Sequence, residues 1–270
     1  MKKLTLREIQ QAELSILLEF DKIARENGLK YSLFAGTMLG AVRHKGFIPW
    51  DDDIDITMPR PDYEKLIGLN KTPGFLPDYL KMACFEDGSL DVPFMKIFDT
   101  RTKIREKNFK EKTVESLWID IFPLDGLPES YEEKKKLYKK SLMFSKLNVA
   151  AAVKTGYGTT RAKVVLKAVF VKPAALLMGR HRIGAIQKKL ASRFPYGKTP
   201  ECGLTVWGYD GPDQALTVSE YEDLIEMEFE GCSFLCTSAW DKNLKGIFGD
   251  YMKLPPENER ITHDMEAYLL

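Results

Sequence analysis

The chain has 270 residues, 44% of them hydrophobic and 29% charged, with a formal net charge of +1. That length holds one large domain or two small ones with a sizeable core, and four cysteines at this length argue against a disulfide framework. The net charge is silent about partners, but its distribution is not. Lys134 to Arg193 carries sixteen Lys or Arg and no Asp or Glu, while the other 210 residues hold 24 basic and 39 acidic side chains, a balance of −15. An acidic body with one basic segment reports on partners rather than on fold.

Thr5-Leu6-Arg7-Glu8 reads as a capping box. Apolar residues at Ile9, Ala12, Leu14, Ile16, Leu17, Phe20, Ile23 and Ala24 keep helical periodicity up to a stop at Asn27-Gly28. The spacing predicts a scaffold helix. Lys30 to Ala35 reads as a short strand leading into Gly36, and Thr37 to Val42 as a helical turn that aims backbone N–H groups at an anion. Asp51, Asp52, Asp53 and Asp55 then crowd into five positions. Such like charges stay ionised only with water or cations around them. Asp53-Ile54-Asp55-Ile56 alternates with period two, so a strand would send both carboxylates to one face. Two neighbouring carboxylates form a hard-oxygen site for Mg²⁺ that leaves room for phosphate oxygens. The alternative is a solvated acidic turn.

Pro59-Arg60-Pro61-Asp62 breaks the chain and caps a helix of about ten residues. Tyr79 to Phe85, Phe94 to Phe98 and Lys103 to Arg105 read as extended, and Leu117 to Asp125 as a further strand ended by Pro123. Asp120 lies inside a run of Trp, Ile and Phe, so it must be paired with a lysine or bind metal. Ser130 to Val153 and Thr160 to Met178 read as helices, the second kinked at Pro173. Its apolar run, interrupted by Lys163, Lys167 and Lys172, is too short and too charged to span a bilayer. It reads either as core helices with a solvated lysine face or as an amphipathic surface on anionic lipid. Ile225 to Phe229 and Phe234 to Cys236 read as a hairpin around Glu230-Gly231, and Ser238 as the cap of a helix through Trp240, Leu244 and Ile247. Cys84, Cys202, Cys232 and Cys236 read as free thiols of a reducing compartment, because the Cys232–Cys236 spacing lacks further zinc ligands. Met1 to Glu8 has no apolar signal core, which predicts a cytoplasmic protein. There is no nucleic-acid module, internal repeat or low-complexity linker.

The order Gly36-Thr37, short helix, then Asp-x-Asp resembles the nucleotidyltransferase superfamily, with Thr37 in the place of a second glycine or serine. The longer string from Gly36 through Arg43-His44-Lys45-Gly46, Ile48-Pro49-Trp50 and Asp51 to Asp55 is similar to the LicD family. These are bacterial transferases that move phosphocholine from CDP-choline onto cell-surface glycans, and fukutin-related proteins share their core. Asp120-Ile121-Phe122-Pro123-Leu124-Asp125 and Gly249-Asp250-Tyr251-Met252-Lys253-Leu254-Pro255-Pro256, with Arg260 and His263 after it, extend the resemblance over most of the chain.

The resemblance implies an α+β fold, a nucleotidyltransferase-like mixed sheet flanked by helices with a basic helical insertion. It divides the chain into a catalytic core over 1–129, a basic helical segment over 130–200 and a completing part over 201–270. Asp53, Asp55 and Asp120 are expected to hold one or two Mg²⁺ ions, with Mn²⁺ as a substitute. Gly36 and Thr37 would hold phosphate oxygens, and Arg43, His44 and Lys45 would offset charge on the leaving nucleotide. Trp50 would stack on the base or simply pack, and Arg260 and His263 would serve the phosphates. Asp125, beyond the proline, is not expected to be a ligand. A quaternary ammonium calls for an aromatic cage, for which Trp207, Tyr209 and Trp240 are the candidates, although the resemblance identifies no cage residues. Expected partners are CDP-choline, a lipid-linked glycan, lipopolysaccharide or teichoic acid precursor, and the anionic inner face of the plasma membrane, with no nucleic acid. The rivals are transfer of another phosphoalcohol or of a nucleotidyl group, and a non-catalytic envelope-assembly scaffold.

Overall fold

The structure, a computed structural model, describes residues 1–106, 114–154, 171–257, 260 and 265–270. His263 and the expected helix from Thr160 up to residue 170 lie outside the described residues.

Chain order begins with β1 (Lys2–Lys3) and α1 (Leu6–Glu26). The capping box forms: Glu8 N–H donates to the Thr5 hydroxyl, and Thr5 N–H donates to the Glu8 carboxylate at 2.9 Å. The stripe Ile16, Leu17, Phe20 and Ala24 is fully buried, which docks α1 on the sheet. Next come β2 (Ser32–Leu33), α2 (Ala35–His44), β3 (Asp55–Pro59) and α3 (Arg60–Leu69). β4 (Leu80–Ala83), β5 (Met95–Asp99), β6 (Thr102–Glu106) and β7 (Trp118–Gly126) follow.

The central sheet has the order β2-β3-β7-β5-β4, in which β3 and β7 run parallel and the other neighbours antiparallel. Period-two alternation splits it into two faces. Ile54, Ile56, Met58, Met95, Ile97, Ile119 and Ile121 point to the main core, where α1 covers them. The register aligns Asp55 with Asp120 and Asp120 with Lys96, so the other face carries a polar row across three strands. A second core of Phe34, Phe94, Phe122, Leu124, Leu204, Val206, Leu216 and Tyr221 closes that face further along.

Three expectations need correction. β3 starts at Asp55, so Asp53 lies on the incoming loop, although the Ile54 carbonyl still accepts the Asp120 N–H at 2.9 Å. β7 does not end at Pro123. Asp120 turns its N–H toward β3, so by alternation the nitrogen of Pro123 faces the β5 side, where the ladder stops at Ile121. No ladder bond is lost there, and the strand runs on to Gly126. Ser238 is not the cap of α8 (Trp240–Phe248); its hydroxyl donates to Asp223 and the N-cap is Ala239.

Between these elements lie α4 (Tyr131–Ala152), α5 (Lys172–Met178), α6 (Arg180–Ala191), β8 (Glu201–Gly203), β9 (Leu216–Thr217), α7 (Val218–Glu222) and the hairpin β10 (Leu224–Phe229) and β11 (Cys232–Thr237). The basic segment is partly tied into the body: Lys134 pairs with Glu201, Arg180 with Asp91 and Lys188 with Glu86. Lys172 donates to the Val153 carbonyl at 2.7 Å. Leu176 and Leu177 of α5 stay exposed, at 51% and 89%. Among the described residues no helix is long and apolar enough to cross a membrane. All four cysteines are free thiols. An element without a sequence signal is β12 (Met265–Leu269), which inserts between β1 and β6 in a separate three-stranded sheet.

Arg60 and Asp125 join the start of α3 to the end of β7 by two bonds of 2.9 and 2.6 Å, with side chains 8% and 1% exposed. Removing one member strands a buried charge, at a typical cost of about 3–5 kcal/mol. Arg60→Met is therefore expected to lower the urea midpoint by an amount corresponding to at least about 3 kcal/mol. A midpoint equal to the parent's would show that Asp125 finds another partner.

Candidate active site

The site forms where α2 begins. Phe34 enters in extended conformation, and Ala35 takes the left-handed region with φ of 43°. That backbone state is strained for a residue with a Cβ, and such strain persists only where the surroundings enforce it. The enforcing bonds are visible: Phe34 N–H donates to the Asp55 carbonyl at 3.0 Å, and Asp55 N–H donates to the Thr37 hydroxyl at 2.9 Å. The first turn of α2 and the first residue of β3 are thus clamped together. Gly36 has a steric reason, since a Cβ there would lie 2.8 Å from the Asp51 carboxylate. Gly40 has another, since a Cβ would lie 2.4 Å from the Gly46 carbonyl, where the loop folds back on the helix. Gln10 of α1 holds the same loop by donating to the Asp51 carbonyl at 2.8 Å.

Asp55 and Asp120 are register partners on adjacent parallel strands, whose backbones run about 5 Å apart. Asp55 is partly accessible, and its pKa is raised well above the usual carboxylate range. Burial is the main cause, followed by the charges of Asp53, Asp120 and Asp51, with Lys96 opposing them. Asp120 accepts from Lys96 Nζ at 2.6 Å and from Trp118 Nε1 at 2.8 Å. Lys96 Nζ lies over the Trp118 ring, 4.1 Å from its centroid, and 5.5 Å from that of Phe94. The lysine partner foreseen as one alternative for Asp120 is therefore present, on the same face as Asp55. Among the described residues no three His, Cys, Asp or Glu are drawn together around a common point. The donor chemistry nevertheless fits a hard divalent cation. The side chains that raise the pKa of Asp55 are all carboxylates, and a dication relieves their mutual repulsion.

The remaining expected residues spread around this centre. Thr37 is buried, with its oxygen engaged by Asp55. Arg43 and His44 sit at the far end of α2, about 9 Å along the axis from Thr37 at the rise of an α-helix. Arg43 donates to the Tyr251 carbonyl at 2.8 Å and to His44 Nε2 at 2.9 Å. Burial first and Arg43 second push the His44 pKa down, which keeps it a neutral acceptor. Lys45 is exposed, ends α2 with φ of 60°, and accepts from Glu230 N–H at 2.8 Å. The Arg260 guanidinium stacks on Trp50 at 4.7 Å, laying the C-terminal tail against the acidic loop.

Two features went unforeseen. Lys96 falls in the phase opposite the core residues Met95 and Ile97 of an alternating strand, Phe94-Met95-Lys96-Ile97-Phe98, a placement that a charge-by-phase reading would have flagged. Glu13 is 1% exposed in the middle of the apolar stripe of α1, an acid where a core residue belongs. Of the three rings considered for a cage, Trp207 and Tyr209 join Phe94 in an aromatic run that leads away from Lys96. Phe94 meets Trp207 edge-on at 5.6 Å, and Trp207 meets Tyr209 at 5.1 Å. Trp240 packs against the main core instead.

The family model described as LicD/FKTN/FKRP, nucleotidyltransferase domain, matches residues 28–156, the span from the approach to β2 through α4. Across 283 aligned positions that cover 100% of both chains, the sequence is 34% identical to the lipopolysaccharide cholinephosphotransferase LicD of Haemophilus influenzae. The chain belongs to the LicD family. Two uncharacterised proteins, from Rickettsia prowazekii and Rickettsia typhi, are each 43% identical over 47 residues, 17% of this chain and 18% and 15% of theirs. Asp55, Asp120, Gly36 and Lys96 of this LicD-family chain lie inside the matched domain, whereas Glu13, Trp207 and Arg260 lie outside it.

The raised pKa of Asp55 has a signed consequence. The folded state holds that proton more tightly than the unfolded chain does. The stability penalty is absent below the ordinary carboxylate range near pH ~4 and grows as pH rises through the window up to the raised value. In EDTA, Asp55→Asn is expected to raise Tm by about 3 °C at pH 8, with the gain shrinking toward pH ~4. Differential scanning calorimetry across that range checks it, and a pH-independent gain would contradict the electrostatic origin.

Proposed function

We propose that this LicD-family protein transfers phosphocholine from CDP-choline to a sugar hydroxyl of a cell-surface glycan precursor, a lipopolysaccharide or teichoic acid unit, and releases CMP. The full-length relative, named for phosphocholine transfer to lipopolysaccharide, supports the group transferred. The observation that carries the chemistry is the Asp55–Asp120 pair beside the clamped N-terminus of α2.

In the reaction the sugar oxygen bonds to the choline-bearing phosphorus. The bond from that phosphorus to the bridging oxygen breaks, CMP leaves with the bridging oxygen, and the hydroxyl proton passes to a carboxylate, Asp53 or Asp120. Asp53, Asp55 and Asp120 would hold Mg²⁺ or Mn²⁺, which supplies charge neutralisation for the diphosphate and a lower pKa for the attacking hydroxyl. The first turn of α2 points its free N–H groups, with the positive end of the helix dipole, at phosphate oxygens. Lys96 sits on the same sheet face and offsets charge on the transferred phosphoryl group once Asp120 turns to a cation.

Phe94, Trp207 and Tyr209 would form one wall for the trimethylammonium group, with Tyr209 47% exposed at its rim. Asp210, whose pKa burial pushes up to about 6, adjoins that wall in sequence. The exposed Leu176 and Leu177, within the basic segment, suit peripheral contact with the anionic membrane that presents a lipid-linked acceptor.

The first test is CMP release from CDP-choline with an acceptor-rich membrane extract, in Mg²⁺ or EDTA. Metal-dependent release is expected, reduced at least ~10³-fold in Asp55→Ala. Release from CDP-ethanolamine or CDP-ribitol but not CDP-choline would keep the site and replace the donor, while release that Asp55→Ala leaves intact would overturn the assignment. A second test addresses the aromatic wall. Trp207→Ala is expected to raise KM for CDP-choline about tenfold, the weight of one desolvated cation–π contact, and to affect CDP-ribitol little. Equal effects on both donors would reduce Trp207 to a packing residue.

A further inference from the structure

Helix α1 reads as scaffold, and all but one of its buried positions fit that role or donate to the loop it supports. Glu13 does not. Its side chain is 1% exposed, and its Oε2 is buried with no hydrogen-bond partner. A buried carboxylate oxygen without a partner is costly, and a native fold retains one where something else satisfies it.

The surroundings say what that is. After burial itself, the groups that act most strongly on Glu13 are the carboxylates of Asp53, Asp52, Asp51 and Asp120. Glu13 thus lies within electrostatic reach of the acidic loop and of the β7 carboxylate. Geometry explains how a scaffold helix reaches them. Helical side chains lean toward the N-terminus, so Glu13 covers the turn that contains Gln10. Gln10 donates to the Asp51 carbonyl at 2.8 Å, and one turn earlier Arg7 pairs with Glu230, which accepts the Phe47 N–H at 3.0 Å. Arg7, Gln10 and Glu13 follow one another at turn spacing along α1; Arg7 reaches the loop that delivers Asp53 through Glu230, and Gln10 touches it directly. The first two make hydrogen bonds or ion pairs, and the third presents an unpartnered oxygen.

We propose that Glu13 is a further carboxylate of the divalent-cation site, presented from α1 as an oxygen donor to the cation held by Asp53, Asp55 and Asp120. This rests on the cation reading above and deepens it. The helix then has a second task beyond covering the isoleucine face of the sheet. A cation also satisfies the one oxygen that the protein leaves unpartnered there.

The test is direct binding of Mn²⁺ to the full-length protein without nucleotide, read as loss of the free-ion EPR signal. The variants are Glu13→Gln, Asp55→Asn and, as a control on the exposed end of the same helix, Glu26→Gln. Glutamine keeps the shape and removes the charge, so Glu13→Gln is expected to melt in EDTA at or above the parent temperature and to bind Mn²⁺ at least tenfold more weakly. Glu26→Gln is expected to match the parent. Glu13→Asp keeps the charge but shortens the reach, and is expected to fall between parent and Glu13→Gln; it serves if the glutamine variant does not fold. Unchanged binding in Glu13→Gln or Glu13→Asp, with loss in Asp55→Asn, would overturn the proposal and leave the cation reading standing. Unchanged binding in Asp55→Asn as well would overturn both.

Discussion

The parallel pairing of β3 with β7 is the constraint on which the site depends. It sets Asp55 against Asp120, and the antiparallel β5 on the far side brings in Lys96. A one-residue slip in either ladder would send the carboxylates into the isoleucine core and the isoleucines out to the site. The fully buried Ile54, Ile56, Ile119 and Ile121 therefore do more than stabilise the sheet. Their burial holds the register, and the register assembles the charges. Hydrophobic patterning and site chemistry are two faces of the same strands.

The charges themselves conflict. Several carboxylates share a small volume, and the structure balances them in two ways: Lys96 is drawn onto Asp120, and the pKa of Asp55 rises. Both responses are reversible, so the charge of the site can be rebalanced when an ion or ligand enters. The aromatic rings of Trp118 and Phe94 hold Lys96 close without neutralising it. By contrast, the Arg60–Asp125 pair is bidentate and almost fully enclosed, a fastening with no freedom to exchange partners.

Much of this was legible in the sequence where the determinants were contiguous. Gly36 to Asp55 is a single stretch that folds onto itself, so glycine placement, helix and acidic turn could be read together. The capping box at Thr5 and the hairpin at Glu230-Gly231 are local in the same sense. What stayed hidden was non-local. Lys96 acquires meaning only when β5 pairs with β7, and Glu13 only when α1 lies beside the acidic loop. The run through Pro123 could not be read because it depends on which neighbour stops short. β12 was missed because its five residues gain a reason to be a strand only between β1 and β6.

That last sheet carries a consequence for biosynthesis. Lys3 pairs with Tyr268, and Thr102 with Leu269, so β1 and β6 leave the ribosome long before the strand that joins them. Through most of translation their backbone edges wait open. The same C-terminal stretch lays Arg260 over Trp50. The contact between Arg260 and the loop at Trp50 is therefore made by chain that follows, in order of synthesis, the strands that carry Asp55 and Asp120.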